Sequence, residues 1–150
     1  MVRSSRQTRN KPGRKPLTKE MLLPLPAVKV RALSLANHLL LAAIHSGHGN
    51  LDVVKNLIRV LYLAYFMLDG AQGQRDLDVF RNADAVLEHT TARAEQAQGW
   101  TLTEEDHGVL ERLLAFHDQQ LGTIPSYRYL EAWDRLERFV RSDAPSPITA

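Results

Sequence analysis

The first twenty residues carry the strongest chemical signal in this 150-residue chain. Seven cations lie there beside a single acid, Glu20, so this stretch has a net charge of 7 − 1 = +6, whereas the rest of the chain holds 12 − 16 = −4. The seven cations are Arg3, Arg6, Arg9, Lys11, Arg14, Lys15 and Lys19. A cationic terminal segment attached to a mildly acidic body is typical of chains that bind nucleic-acid phosphates.

The order of residues in this segment indicates two ways of contacting duplex DNA. Residues 11–16 read Lys-Pro-Gly-Arg-Lys-Pro, which resembles the AT-hook, a minor-groove motif built on Arg-Gly-Arg between prolines. Prolines keep such a backbone extended, glycine lets it approach the groove floor, and cations meet the negative potential of a narrow groove. Pro12 stands directly before Gly13 where the AT-hook has an arginine, so a sequence-neutral arm that binds phosphates by counterion release fits equally well. A solubilising tail without a partner is the third alternative.

The six histidines raise the question of a metal site. His38 and His45 are seven residues apart and therefore share one face of a helix, with His48 shortly after them. Zinc requires three or four ligands, and no carboxylate lies at helical spacing from His38 or His45. We expect no metal and no cofactor.

The dipeptide His117-Asp118 suggests a catalytic alternative. All-α metal phosphohydrolases of the HD family contain such a dyad, and His45 or His89 would be the earlier ligand with Asp134 as the later one. Because His117 falls on the apolar stripe of its helix, we instead expect a structural histidine that is hydrogen-bonded inside the bundle. The chain also has no cysteine, no nucleophile elbow and no glycine-rich phosphate loop. We therefore expect a protein that is not an enzyme.

The hydrophobic pattern predicts an all-α fold. Apolar residues recur at helical spacing in five segments separated by short glycine- or proline-containing breaks, and no alternating strand pattern is present. We expect a disordered basic arm over 1–26, a compact bundle of about five helices over 27–141 and a disordered tail over 142–150. Six leucine and isoleucine residues on the inward stripes are predicted to be buried: Leu40, Ile44, Leu57, Leu61, Leu113 and Leu114.

Several residues mark where these helices begin and end. Asn50 is the predicted N-cap of the second helix, and Thr103 opens the fourth. Gly99 is predicted to follow the third helix as its C′ residue, Gly122 to end the fourth, and Pro125 to be the first residue of the fifth. The first helix, beginning near residue 27, is apolar around nearly its whole circumference, which predicts a central position in the bundle.

Charged residues interrupt both long apolar stretches. Lys29 and Arg31 lie in the first, and Lys55 and Arg59 lie in the second, so we expect no membrane-spanning segment. The absence of cysteine is compatible with a reducing compartment, and we expect a cytoplasmic protein.

The layout resembles a known group of proteins. A basic Arg/Lys/Pro arm, an Ala/Leu/His-rich first helix and the late block LLAFHDQQL over residues 113–121 are similar to small proteins of phages, plasmids and genomic islands of β-proteobacteria, often described as Fis-family transcriptional regulators. The resemblance implies an accessory or regulatory protein of a mobile element. The sequence therefore predicts a DNA-associated protein whose arm contacts double-stranded DNA and whose body binds a protein partner or itself. A protein-interaction module without DNA binding, such as an inhibitor or anti-defence factor, is the alternative.

Overall fold

The computed structural model describes residues 16–68 and 73–149, with only the backbone described for residues 73–75. The helices of this part are a 3₁₀ turn (Glu20–Leu22), α1 (Ala27–His45), α2 (Leu51–Phe66), α3 (Gly73–Glu95), α4 (Glu104–Thr123) and α5 (Ser126–Arg141). It contains five α-helices and no strand, which confirms the predicted all-α bundle.

The first four helices form a ring in which each packs against the next. α1 contacts α2, α2 contacts α3, α3 contacts α4, and α4 returns to contact α1. His38 meets Asp118 while His45 meets His107, so α1 and α4 run in opposite directions. α5 packs on the outside of α2, where Phe139 lies against Tyr62.

The core lies mainly between α2, α3 and α4. α2 supplies the largest set of buried residues: Val54, Leu57, Val60, Leu61, Tyr62, Leu63 and Ala64. Five of the six residues predicted to be buried are at most 2% exposed, and Leu40 is the exception, since it is only half-buried.

The central position predicted for α1 is wrong. Only Leu41 and Ile44 of this helix are buried, and its outer side exposes large apolar residues to solvent. In a ring of four helices each helix has one inward face, so an apolar circumference does not bring the whole of α1 into the core. The central helix is α2.

Two of the predicted helix starts are confirmed. The Asn50 side chain accepts a hydrogen bond of 2.9 Å from the backbone N–H of Val53, and the Thr103 hydroxyl accepts one of 3.1 Å from Asp106. Each satisfies one of the free N–H groups at a helix N-terminus.

The other three boundary predictions are wrong by one to two residues. Pro125 precedes α5 as its N-cap, and α4 continues past Gly122 to Thr123. The C′ residue of α3 is Ala97, at φ 60°, and Gly99 adopts its own left-handed conformation two residues later. The N–H groups of Ala97 and Gln98 bond back to the carbonyls of Ala94 and Arg93, which closes the helix before Gly99 is reached.

The segment before α1 is ordered from Glu20 onward, which corrects the predicted arm boundary at residue 26. The backbone N–H of Ser126 donates to the carbonyl of Leu23 at 2.8 Å, and its hydroxyl lies 3.3 Å from the carbonyls of Glu20 and Met21. Pro24 also pairs with Pro125 in an isolated bridge. The N-terminal end of α5 therefore holds this segment in place.

The prediction of a disordered tail is also wrong. Ile148 is 1% exposed and belongs to the core. The hydroxyl of Tyr62 donates to Ser146 at 2.7 Å, and that of Tyr65 donates to the carbonyl of Pro147 at 3.4 Å. The residues after α5 thus fold back over α2. One buried isoleucine and hydrogen bonds from two tyrosine hydroxyls hold them there, although the tail contains two prolines and cannot continue the helix.

Candidate functional site

The predicted DNA-binding residues fall almost entirely outside the described part of the chain. Lys19 is described, and it is exposed directly before the 3₁₀ turn. The other six lie within residues 1–15, which the structure does not describe: Arg3, Arg6, Arg9, Lys11, Arg14 and Lys15.

The basic character continues past the arm into the first helix. Lys29 and Arg31 are exposed on α1, and Lys29 also stands 5.7 Å from the centre of the Tyr129 ring. Glu20 is the only acid in residues 1–50, so this third of the chain holds 9 − 1 = +8 and residues 51–150 hold 10 − 16 = −6. The charge separation is therefore larger than the arm alone suggests.

His117 is fully buried and forms part of a hydrogen-bonded chain. Its Nδ1 lies 2.9 Å from Oε1 of Gln120, and Nε2 of Gln120 donates to the carbonyl of Ala64 at 2.9 Å. Since that amide oxygen must accept, Nδ1 carries the proton. Burial lowers the pKa of His117, while the contacts with Gln120 and Asp118 act against the shift. The ring is a buried structural histidine, as the apolar stripe predicts, and Gln120 carries the link from α4 to α2.

Two side chains from other helices donate hydrogen bonds to carbonyl groups at the C-terminal end of α2. Gln120 bonds the carbonyl of Ala64, and the Arg128 guanidinium donates to the carbonyl of Met67 at 2.8 Å. α2 has no basic residue in its own last turn. The guanidinium therefore brings the positive charge that stabilises a helix C-terminus.

Asp118 pairs with a histidine that the sequence did not connect to it. Its Oδ2 lies 2.8 Å from Nε2 of His38 on α1, while its Oδ1 is buried without a hydrogen-bond partner. Sequence spacing alone cannot reveal this pair, because eighty residues separate the two. The contact ties the middle of α1 to the C-terminal third of α4.

These pairs do not form the metal site of a phosphohydrolase. Nδ1 of His117 is bound to Gln120, and His45 lies against His107 with 4.2 Å between ring centres. Within residues 16–68 and 73–149, no three histidine or acidic side chains are grouped to hold a metal ion. His89 and Asp134 are exposed and do not join the dyad in such a group.

A cavity of about 290 Å³ lies between α1, α2, α4 and α5. Its wall is mostly apolar, with polar groups from Asn37, Asn56, Arg59 and His117. No serine, threonine, lysine or carboxylate is among its described lining residues. The cavity has room for a small, largely apolar molecule.

The aromatic residues near the arginines of α5 belong to the packing of the bundle. Tyr129 is buried and Trp133 is half-buried against it, with their rings in an edge-to-face arrangement. The Arg135 guanidinium lies 4.8 Å from the centre of the Phe66 ring. This face resembles a packed and solvated helix surface more than a platform for nucleic-acid bases.

The outer face of α1 is the most unusual surface of the described chain. Val28, Leu35 and Leu39 are 72%, 62% and 58% exposed, although large apolar patches are uncommon on monomeric soluble proteins. α1 is also the one helix within the described residues that is long and apolar enough to cross a membrane by length and composition.

Comparison with known proteins gives no assignment, since no protein-family model, no curated protein and no solved structure matches this chain.

Proposed function

We propose that this chain is a non-enzymatic, DNA-associated accessory or regulatory protein. Its basic N-terminal segment binds duplex phosphates, and its helical body binds a protein partner or a second copy of itself. The observation that carries the proposal is the separation of charge, +8 in residues 1–50 against −6 in the rest. Lysine and arginine neutralise phosphates and release counterions, whereas an acidic body is repelled by a duplex.

The arrangement around the N-terminal segment supports the proposal. Residues 20–26 are held against the start of α5, so the arm begins at a fixed place on the body. Lys19, Lys29 and Arg31 are all exposed close to this point in the chain. An accessory role in a mobile element, which the sequence resemblance implies, agrees with a DNA-binding arm on a helical body.

The proposal is tested by removing the arm without disturbing the fold. Deletion of residues 2–15 leaves Thr18 in place, whose carbonyl and hydroxyl both lie within 3.3 Å of the Met21 nitrogen. We expect this form to lose nearly all binding to a random-sequence duplex in fluorescence anisotropy while its helical circular dichroism is unchanged. A full-length variant in which the six cations of residues 2–15 are replaced by glutamine is the control for chain length, and it should lose binding equally.

A second comparison separates the two ways of contacting DNA. Replacing Arg14 and Lys15 with alanine should weaken binding to AT-rich and random duplexes alike if the arm acts by counterion release. Selective loss on the AT-rich duplex would instead indicate minor-groove reading. Undiminished binding by the deleted form would overturn the proposal and assign any DNA contact to the helical body.

The alternative is a protein-interaction module without DNA binding. The exposed apolar face of α1 favours it, because such a surface is typical of a protein contact. Absence of duplex binding at low salt, together with a specific protein contact through α1, would support this alternative over the first.

A further inference from the structure

The exposed apolar residues of α1 form one continuous seam. Their spacing alternates between four and three residues, which is the heptad spacing of helices that pair along their length. All five members of this seam are exposed: Val28, Ala32, Leu35, Leu39 and Ala42. α2 and α4 pack against the opposite side of α1, where Leu41 and Ile44 are buried. The α1 seam therefore has the shape of half of a helix pair.

The charges beside the seam differ between its two ends. Lys29 and Arg31 are exposed near the start of α1, and α1 contains no acid. Near its other end lies the start of α4, because His45 of α1 touches His107. Glu104, Glu105 and Glu111 are exposed in this part of α4 and outnumber its exposed cation Arg112, while Asp52 and Lys55 at the start of α2 balance each other. The surface around the seam thus has a basic end and an acidic end.

We propose that the α1 seam binds the α1 seam of a second copy of this chain, in an antiparallel pair with two-fold symmetry. An antiparallel arrangement places the basic end of one copy beside the acidic end of the other, and it does so twice. It also brings Lys29 and Arg31 towards the negative end of the facing helix dipole. A parallel arrangement would juxtapose like charges at both ends.

The two-fold axis of this pair passes between Leu35 and Leu39. Leu35 of each copy then meets Leu39 of the other, Ala32 meets Ala42, and Val28 meets Ser46. The two alanine layers let the helices approach closely on either side of the leucine pair. This register uses the whole length of α1, from its first turn to its C-cap.

The same charges disfavour an anionic membrane as the occupant. An apolar helix flanked by cations binds acidic lipid surfaces, and the N-terminal half of α1 meets that description. The acids at the start of α4 would face the same surface at the other end, and Asp118 lies beside α1 in the middle. A protein surface that carries both signs of charge complements this pattern better.

The inference names the partner left open in the proposed function, and its test needs no DNA. Sedimentation equilibrium of the full chain should show a concentration-dependent monomer–dimer equilibrium with a dissociation constant of about 1–100 µM, because one helix pair forms a small interface. Replacing Leu35 and Leu39 with glutamate should raise that constant at least about tenfold, since it introduces like charges at the centre of the pair.

The matched control lies on another helix. Leu130 and Val140 of α5 are 48% and 68% exposed, so replacing them with glutamate makes the same chemical change outside the seam. We expect this control to dimerise as the wild type does. Circular dichroism of both variants should match the wild type, because none of the four side chains is buried.

The orientation is tested by disulfide cross-linking, for which a chain without cysteine is well suited. In the antiparallel pair, copies carrying Val28→Cys cannot cross-link with each other, because their cysteines lie about 27 Å apart along the helix axis. A mixture of Val28→Cys and Ser46→Cys copies should form the mixed disulfide. Cross-linking of Val28→Cys copies alone, without the mixed product, would overturn the antiparallel arrangement.

Two results would overturn the seam as a contact between copies: a wild type that is monomeric throughout this concentration range, or a seam variant that dimerises as strongly as the wild type. If the monomeric wild type also bound phosphatidylserine vesicles and the seam variant did not, the face would be assigned to a membrane. A wild type that dimerises through the seam but binds no duplex would contradict the proposed function and leave this inference standing.

Discussion

At the scale of single residues, the buried hydrogen bonds from His117 through Gln120 to Ala64 are the polar contacts whose removal should cost the most stability. Gln120 satisfies the histidine ring on one side and a backbone carbonyl on the other, both inside the core. Replacing it with alanine should lower the free energy of unfolding by about 1–3 kcal/mol for each group left unpaired. Chemical denaturation measures this, and Gln119→Ala, an exposed neighbour, should change the value by less than about 0.5 kcal/mol. Equal effects of the two variants would contradict a structural role for this chain of contacts.

The lowered pKa of His117 predicts a pH dependence of stability. Below pH 6.5, the ordinary pKa of this group, the unfolded chain binds a proton on the ring while the native chain does not. The free energy of unfolding should therefore fall as the pH is lowered from 6.5 towards the native pKa, with a slope from this group of at most about 1.4 kcal/mol per pH unit. His117→Gln should show a shallower slope in urea titrations across this range. Equal slopes would mean that His117 does not stay neutral in the native state.

Ala97 occupies a left-handed position that favours glycine. At φ 60° its Cβ is disfavoured, and yet the backbone bonds that end α3 require this conformation. Ala97→Gly should raise the free energy of unfolding by about 0.5–1 kcal/mol. Ala92→Gly, at an exposed position inside α3, should lower it by a similar amount. The two thermal midpoints should therefore move in opposite directions, and a shift of both in the same direction would contradict the assignment.

At the scale of elements, the sequence predicted the helix caps, which depend on local chemistry. It missed the position of α1 and its contact with α4, which depend on how the helices pack. Asn50 and Thr103 were predicted correctly as caps because a side-chain oxygen acts within three residues of itself. The central position of α1 was predicted wrongly. An apolar circumference shows that every side of a helix could be buried, but the number of helices packed around it decides which sides are. The His38 and Asp118 contact also depends on the packing of α1 against α4, which no spacing along the chain encodes.

The tail after α5 is a second element whose order comes from its partners. Burial raises the pKa of Tyr62, the Ser146 hydrogen bond acts against this shift, and Asp84 and Glu88 add to it. Deleting residues 144–150 uncovers the phenol, so its pKa should fall towards 10.0. Ser146→Ala leaves the rest of the tail in place and removes the opposing hydrogen bond, together with the one from the Ile148 N–H, so it should raise the pKa of Tyr62 further. Phenolate absorbance titrations of the two variants, with Tyr62→Phe to identify the signal, should show shifts of opposite sign.

At the scale of the whole molecule, charge and symmetry act together. The arms of the proposed dimer precede opposite ends of an antiparallel α1 pair, in which the two Ala27 residues lie about 30 Å apart along its axis. That separation is close to one turn of duplex DNA, about 34–36 Å, so we expect the two arms to reach the same side of one duplex. In the proposed complex the arms contact the phosphates, which repel the acidic bodies. Dimerisation would thus increase DNA affinity without adding any new base contact.

This geometry predicts how salt weakens DNA binding. One arm with seven cations and one acid should neutralise about four to six phosphates at once, which gives a slope of log affinity against log salt near −4 to −5. Above the dimer dissociation constant, both arms bind one duplex and the slope should approximately double. The Leu35→Glu, Leu39→Glu variant should keep the single-arm slope at every protein concentration, because it carries the same arm on a monomeric body. Fluorescence anisotropy between about 50 and 200 mM salt measures both slopes. A seam variant with the doubled slope would mean that the arms act together without the α1 pair, and a slope near zero in both proteins would mean that phosphate contacts do not drive the binding.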